Sequence, residues 1–166
     1  MTAPTAPFDE AVVEKVARVL GETTAGLTGA EIVSVLGRCG IPDPGEMTQW
    51  RRIAAALADH QASTGSGHGL VLFVKEAMKP VRWAGHSDDF GDMIQELNGV
   101  LAFAGLELHK DGRLYRRKAA VTHDDATIVS RRLRDEMQRR GGHAEVYRYC
   151  SRELVATTAS ARSSRP

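Results

Sequence analysis

The residues of this chain that could carry chemistry are few and scattered. Six histidines (His60, His68, His86, His109, His123 and His143) and two cysteines (Cys39 and Cys150) are its available soft ligands. A zinc site needs three or four such groups converging, and no two histidines sit at a spacing that makes a metal pair on one helix face. No metal and no cofactor are expected. Each cysteine falls on the apolar face of an expected helix, with no neighbour to lower its pKa, so each reads as a buried structural thiol. There is no Gly-x-Ser-x-Gly elbow, and no serine and histidine stand where a nucleophile and its base would. The pairs Asp88/Asp89 and Asp124/Asp125 mark helix starts, where the macrodipole accounts for them without catalysis. Ser63-Thr-Gly-Ser-Gly-His-Gly69 could cradle a phosphate through its glycines. It lacks the Gly-Lys-Ser/Thr ending and the preceding strand that such loops require, so a plain helix-to-helix loop is the simpler reading. No catalytic residue is assigned, and a non-enzymatic role is expected.

Charge is more informative than motif. The chain has 166 residues and a formal net charge of +1. Residues 1–108 carry 8 basic and 14 acidic side chains, whereas residues 109–155 carry 12 basic and 7 acidic ones. The basic portion includes Lys110, Arg113, Arg116, Arg117 and Lys118 around an expected hairpin, and Arg131 and Arg132 on an expected helix. Arg51 and Arg52, on a helix after a Gly/Pro turn, form a second basic candidate. These nine residues are the candidate contacts for DNA, RNA or an acidic protein partner. The competing explanation is that an Arg-rich face is simply solvated.

The elements that must position these residues are mostly helical. Helices are expected from about Asp9 to Leu20, after the capping box Thr28-Gly-Ala-Glu31, after Thr48, from Leu70 to Met78, after a Ser87 cap, from Asp124 to Arg139 and from His143 to Val155. Pro80 stops the fourth, and Val81-Arg-Trp83 is expected to run on as an extended or turn segment. Asp111-Gly112, between alternating segments, predicts a β-hairpin near 106–117, with Leu106, Leu108 and Leu114 facing inward. The fold class is therefore mainly α, about seven helices with one hairpin. A helix leading into a basic hairpin makes it partly winged-helix-like. One domain over 1–155 and a disordered tail over 156–166 complete the expectation. Apolar residues make up 42% and aromatics only 5%, so the core is aliphatic and no base-stacking platform is visible. No run is long enough to span a bilayer, the N-terminus lacks a secretory pattern, and two cysteines are no disulfide framework, so a cytoplasmic protein is expected.

Several segments carry a family resemblance. They are Leu27-Thr-Gly-Ala-Glu-Ile32, Gly40-Ile-Pro-Asp-Pro44, Phe73-Val-Lys-Glu-Ala-Met-Lys-Pro-Val-Arg82, Leu97-Asn-Gly-Val-Leu-Ala-Phe103, Lys110-Asp-Gly-Arg113 and Tyr149-Cys-Ser-Arg-Glu-Leu154. In this order they resemble the N-terminal region of the Ymh-like family of bacterial proteins, which is associated with phage defence and abortive infection. The resemblance implies a helical module that, in longer members, leads into a C-terminal HEPN-like effector domain. This chain departs from that pattern after Leu154, so the effector is expected to be missing and no catalytic residue carries over. Arg139-Arg-Gly-Gly-His143 does bring an Arg and a His together as HEPN-type ribonucleases do. Gly141-Gly142 breaks the helix between them, and the spacing is short. The expected function is a binding or regulatory module with a nucleic acid, a protein or a second copy as partner. The alternative is a stand-alone winged-helix DNA-binding regulator.

Overall fold

Helix starts and stops are written locally in this sequence. In the computed structural model, which describes residues 5–21 and 24–128 together with Arg131, Arg132, Asp135 and Arg139, they fall close to their signals. α1 (Glu10–Leu20) begins after Asp9, whose side chain accepts from the Ala11 N–H. α2 (Gly29–Cys39) has the full capping box: Thr28 accepts from the Glu31 N–H, and Glu31 accepts from the Thr28 N–H. It ends at Gly40, held in the left-handed region at φ 67°. α3 (Gln49–Thr64) ends at Gly65. α4 (His68–Ala77) starts two residues earlier than Leu70, with Gly67 before it and Gly69 packed against His60 of α3. Of the two readings of the Pro80 segment the turn holds: Pro80–Trp83 is a 3-10 turn, with proline at its favoured first position. α5 (Ser87–Leu101) contains Ser87 in its first turn, and the residue before it is His86, so Ser87 is not the cap.

A short 3-10 turn, Ala102–Ala104, and Gly105 at φ 66° lead from α5 into the hairpin. β1 (Leu106–Leu108) and β2 (Leu114–Arg116) pair antiparallel, with Leu108 opposite Leu114 and Glu107 opposite Tyr115. The connection is longer than the two-residue turn that Asp111-Gly112 suggests. The Gly112 N–H donates to the His109 carbonyl, and the His109 N–H donates to the Arg113 carbonyl. Gly112 at φ 74° is the residue that lets the chain rejoin the ladder. A further helix opens over 123–128. Thr122 and Asp125 cap each other reciprocally at 3.2 Å. The expected helix over 143–155 and the tail over 156–166 lie outside the described residues.

Residues Met1–Ser130 form one compact unit, and Arg131–Pro166 form a second. In the first, α1 packs on α3 and α5, α2 on α4, and β1 on α5. Leu20, Ile32, Leu36, Ile53, Phe73, Ile94, Leu97 and Leu108 are fully buried between them. Burying one such side chain contributes roughly 1.5–3 kcal/mol, so aliphatic contacts dominate the stability of this core. Among the described residues, no helix is long and apolar enough to cross a membrane.

Candidate binding surfaces

The hairpin is positioned by a side chain that acts as a third strand. Asn98 of α5 is buried, its amide nitrogen donating to the Leu108 carbonyl at 2.8 Å and its amide oxygen accepting from the Leu108 N–H at 2.7 Å. A primary amide has the donor and acceptor spacing of a peptide group, so it closes the free edge of β1. The tip is also fixed. A side chain at Gly112 would meet the Met78 carbonyl at 2.8 Å, so the turn is seated on the end of α4.

The two faces of the hairpin have different chemistry. Leu106, Leu108 and Leu114 share the face turned to the core, in line with the sequence pattern. The other face holds Glu107, buried, with a histidine and an arginine as partners. His109 Nε2 lies 2.8 Å from one carboxylate oxygen, and Arg117 Nε lies 2.5 Å from the other. Tyr115 stacks on His109 at 4.4 Å between ring centroids. Arg117 is therefore partly engaged in neutralising a buried carboxylate.

The other basic candidates divide similarly. Arg113 is 75% exposed and only loosely paired with Asp111 at 3.7 Å. Arg116 is exposed and donates to the Thr5 hydroxyl at 3.1 Å. Lys110 and Lys118 are exposed, and so are Arg131 and Arg132 in the second unit. On α3, Arg51 lies 5.2 Å from the Trp50 ring centroid, where Arg18 also sits at 3.8 Å. Arg52 forks onto Asp43, its Nε 2.7 Å from one carboxylate oxygen. That fork, with the Gly45 N–H, holds the Asp43 carboxyl below its usual range. The hairpin thus leaves Arg113, Arg116 and Lys118 at the surface, while the two arginines of α3 serve local structure.

Among the described residues, α5, the helix that leads into the hairpin, turns only carboxylates fully to solvent over its first ten positions: Asp88, Asp89, Asp92 and Glu96. Farther along, the same side of α5 becomes apolar. Gly99, Val100 and Phe103 line a groove of about 560 Å³ with Ala11 and Val12 of α1, rimmed by Asp9, Lys15, Glu96 and His123. Phe103 is 41% exposed there.

The glycine-rich loop is occupied by the chain itself. The Gly67 N–H donates to the Thr5 carbonyl at 3.0 Å, and the Ser66 hydroxyl donates to the same oxygen at 3.1 Å. Gln61 clamps Phe8, accepting from its N–H at 2.9 Å and donating to its carbonyl at 2.7 Å. A side chain at Gly67 would strike the Phe8 ring at 2.6 Å, and one at Gly69 would strike His60. Gly65 takes φ 63° to end α3. Each glycine has a packing or conformational cause, and a strap over residues 5–8 fills the place a phosphate would take.

Cys39 is half-buried, and burial, reinforced by the nearby Glu76 carboxylate, pushes its thiol up to about 11. Among the described residues, no three His, Cys, Asp or Glu side chains are placed to hold a metal ion. Cys150 and His143 lie outside the described residues. Asn98 and Gln61 were not among the sequence candidates; each stands as a polar residue within an apolar helical pattern. Comparison of the chain with protein-family models, with curated proteins and with solved structures finds no match.

Proposed function

We propose that this chain is a non-enzymatic binding module of the cytoplasm that contacts a nucleic-acid backbone along the flank of its hairpin. The observation that carries the reading is the set of exposed cations Arg113, Arg116 and Lys118 on β2 and at its two ends. Lys110 at the turn and Arg131 and Arg132 in the second unit add to the supply of positive charge. Such groups suit a polyanion met through its phosphates, where each contact releases counterions. The resemblance to the Ymh-like family supports a defence-associated setting, in which this module senses or docks and effector chemistry lies elsewhere.

The alternative, a stand-alone winged-helix regulator, sends the helix ahead of the hairpin into the major groove. Here that helix is α5, whose exposed N-terminal half is acidic, and the hairpin tip is seated on α4. Both features favour backbone contact over base readout. The test is a salt series of anisotropy titrations with duplex DNA and duplex RNA. We expect affinity to fall steeply with salt, with little preference among sequences. Arg113→Glu together with Arg116→Glu should weaken binding about tenfold or more, each lost cation flattening the salt slope by about one. No binding at low salt, or binding indifferent to the double reversal, overturns the proposal. A strong sequence preference overturns it in favour of the regulator.

A further inference from the structure

The groove between α1 and α5 lies at the end of an acidic lane. Val12 of α1, Gly99 and Val100 of α5, and Phe103 in the turn after it give the groove its apolar lining. Back along α5, Glu96, Asp92 and Asp89 follow from Gly99 at steps of three or four residues. The carboxylates and the apolar lining therefore share one side of the helix. From Asp89 to Phe103 that side runs roughly 20 Å, at about 1.5 Å per residue. Among the described residues, Asp89 meets only His86, at 3.5 Å, and no ion pair engages Asp92 or Glu96. The apolar surface also continues past the groove. The Ala120 N–H donates to the Ala102 carbonyl at 2.8 Å and ties the segment bearing His123 to the end of α5. That segment leaves Val121 84% and Ile128 62% exposed. Exposed apolar surface framed by charge marks an interaction surface.

We propose that this side of the molecule takes a helical segment of a partner protein. Apolar anchors of that segment enter the groove over Val100 and Phe103, and its lysines or arginines run along Asp89, Asp92 and Glu96. Charge selects this occupant. Along the lane and the rim, Asp9, Asp89, Asp92 and Glu96 outweigh Lys15, so a nucleic acid or an anionic membrane is repelled and a basic helix is attracted. Length selects it too, because a lane of roughly 20 Å matches about four turns of helix. A small ligand in the groove would leave the carboxylates uncovered. Helix-in-groove recognition lays an apolar stripe at i, i+3, i+4 and i+7 into such a channel. The hairpin cations Arg113, Arg116 and Lys118 take no part, so the inference stands apart from nucleic-acid binding.

Fluorescence anisotropy with the full chain tests it. The probe is a labelled synthetic peptide of about 18 residues, with leucines at i, i+3, i+4 and i+7 and lysines flanking them. It should bind, and more weakly as salt rises. The same peptide with glutamates for lysines should bind about tenfold or more weakly. Phe103→Ser should weaken the lysine peptide about tenfold at every salt concentration, because the anchor loses its apolar seat. Asp92→Asn with Glu96→Gln should weaken it at low salt and flatten the salt dependence. Far-ultraviolet circular dichroism checks that both variants fold, and the exposed Asp92 and Glu96 carry the test if Phe103→Ser does not. A wild type that ignores the lysine peptide, equal affinity for the two peptides, or binding indifferent to the variants overturns the inference. Concentration-dependent association of the wild type that Phe103→Ser abolishes overturns it as well, because the occupant is then a second copy.

Discussion

Two side-chain amides do the same job in two places, and they differ in what surrounds them. Asn98 grips both peptide groups of Leu108 from within the core, and Gln61 grips both peptide groups of Phe8 at the edge of the fold. The first holds a hairpin to the helix that precedes it, and the second holds the N-terminal strap to α3. A clamp shielded from water leaves its partners with nothing if it is removed, whereas a half-buried one leaves them to solvent. The same bidentate geometry is thus a structural necessity at β1 and a removable fastening at the strap.

Substitution measures that difference. Asn98→Ala should cost about 3 kcal/mol, because it orphans a buried N–H and a buried carbonyl together. Urea unfolding reads this as a lower midpoint at an unchanged m-value. Asn98→Asp should be nearly as damaging, since a carboxylate cannot donate to the Leu108 carbonyl. Gln61→Ala should cost about 1 kcal/mol and should make residues 5–8 susceptible to limited proteolysis while α5 and the hairpin stay protected. Equal losses at the two positions would break the comparison.

Neither amide titrates, whereas several carboxylates are held below their ordinary values and make stability sensitive to acid. Glu31 is held below its ordinary value of 4.5 by hydrogen bonds from the backbone and hydroxyl of Thr28. Glu76 is lowered by Lys79 first and then by Arg38. A depressed carboxyl contributes fully above its unfolded value, near pH 4.5, and loses that contribution as the pH falls through its folded value. Glu31→Gln should therefore lower stability at neutral pH and flatten its decline below pH 4.5, an effect smaller than either clamp. The smallest effect concerns Cys39. With its thiol near 11, alkylation at neutral pH should be slow in the folded chain and fast in urea.

The features legible in the sequence were those whose cause lies within one turn. Thr28 and Glu31 announce a helix start because both partners of the capping box are three residues apart, and Thr122 and Asp125 do the same. Asp111-Gly112 announces a reversal because Gly112 takes a left-handed conformation. Asn98 was unreadable: its spacing places it on the apolar side of α5, and nothing nearby states that Leu108 waits there. The glycines of Ser63–Gly69 read as a plain loop, and the contact that gives them a packing role stayed hidden because the strap is more than fifty residues upstream. The nine candidate cations were visible as charge, while the carboxylates that occupy Arg52 and Arg117, Asp43 and Glu107, became their partners only through the fold. The acidic residues of α5 read as dipole compensation, which explains Asp88 and Asp89 but not Glu96, three turns into the helix.

The strap also sets an order in time. Synthesis runs from the N-terminus, so Thr5 and Phe8 leave the ribosome before any group that will hold them exists. Gln61 follows Phe8 by 53 residues, Ser66 follows Thr5 by 61, and Arg116 follows Thr5 by 111. For that interval the segment is unfastened, open to a protease or a chaperone. Closing it completes the hydrogen bonding of the α3–α4 loop and reaches across to β2, so the earliest of these residues to be made is among the last to be fastened.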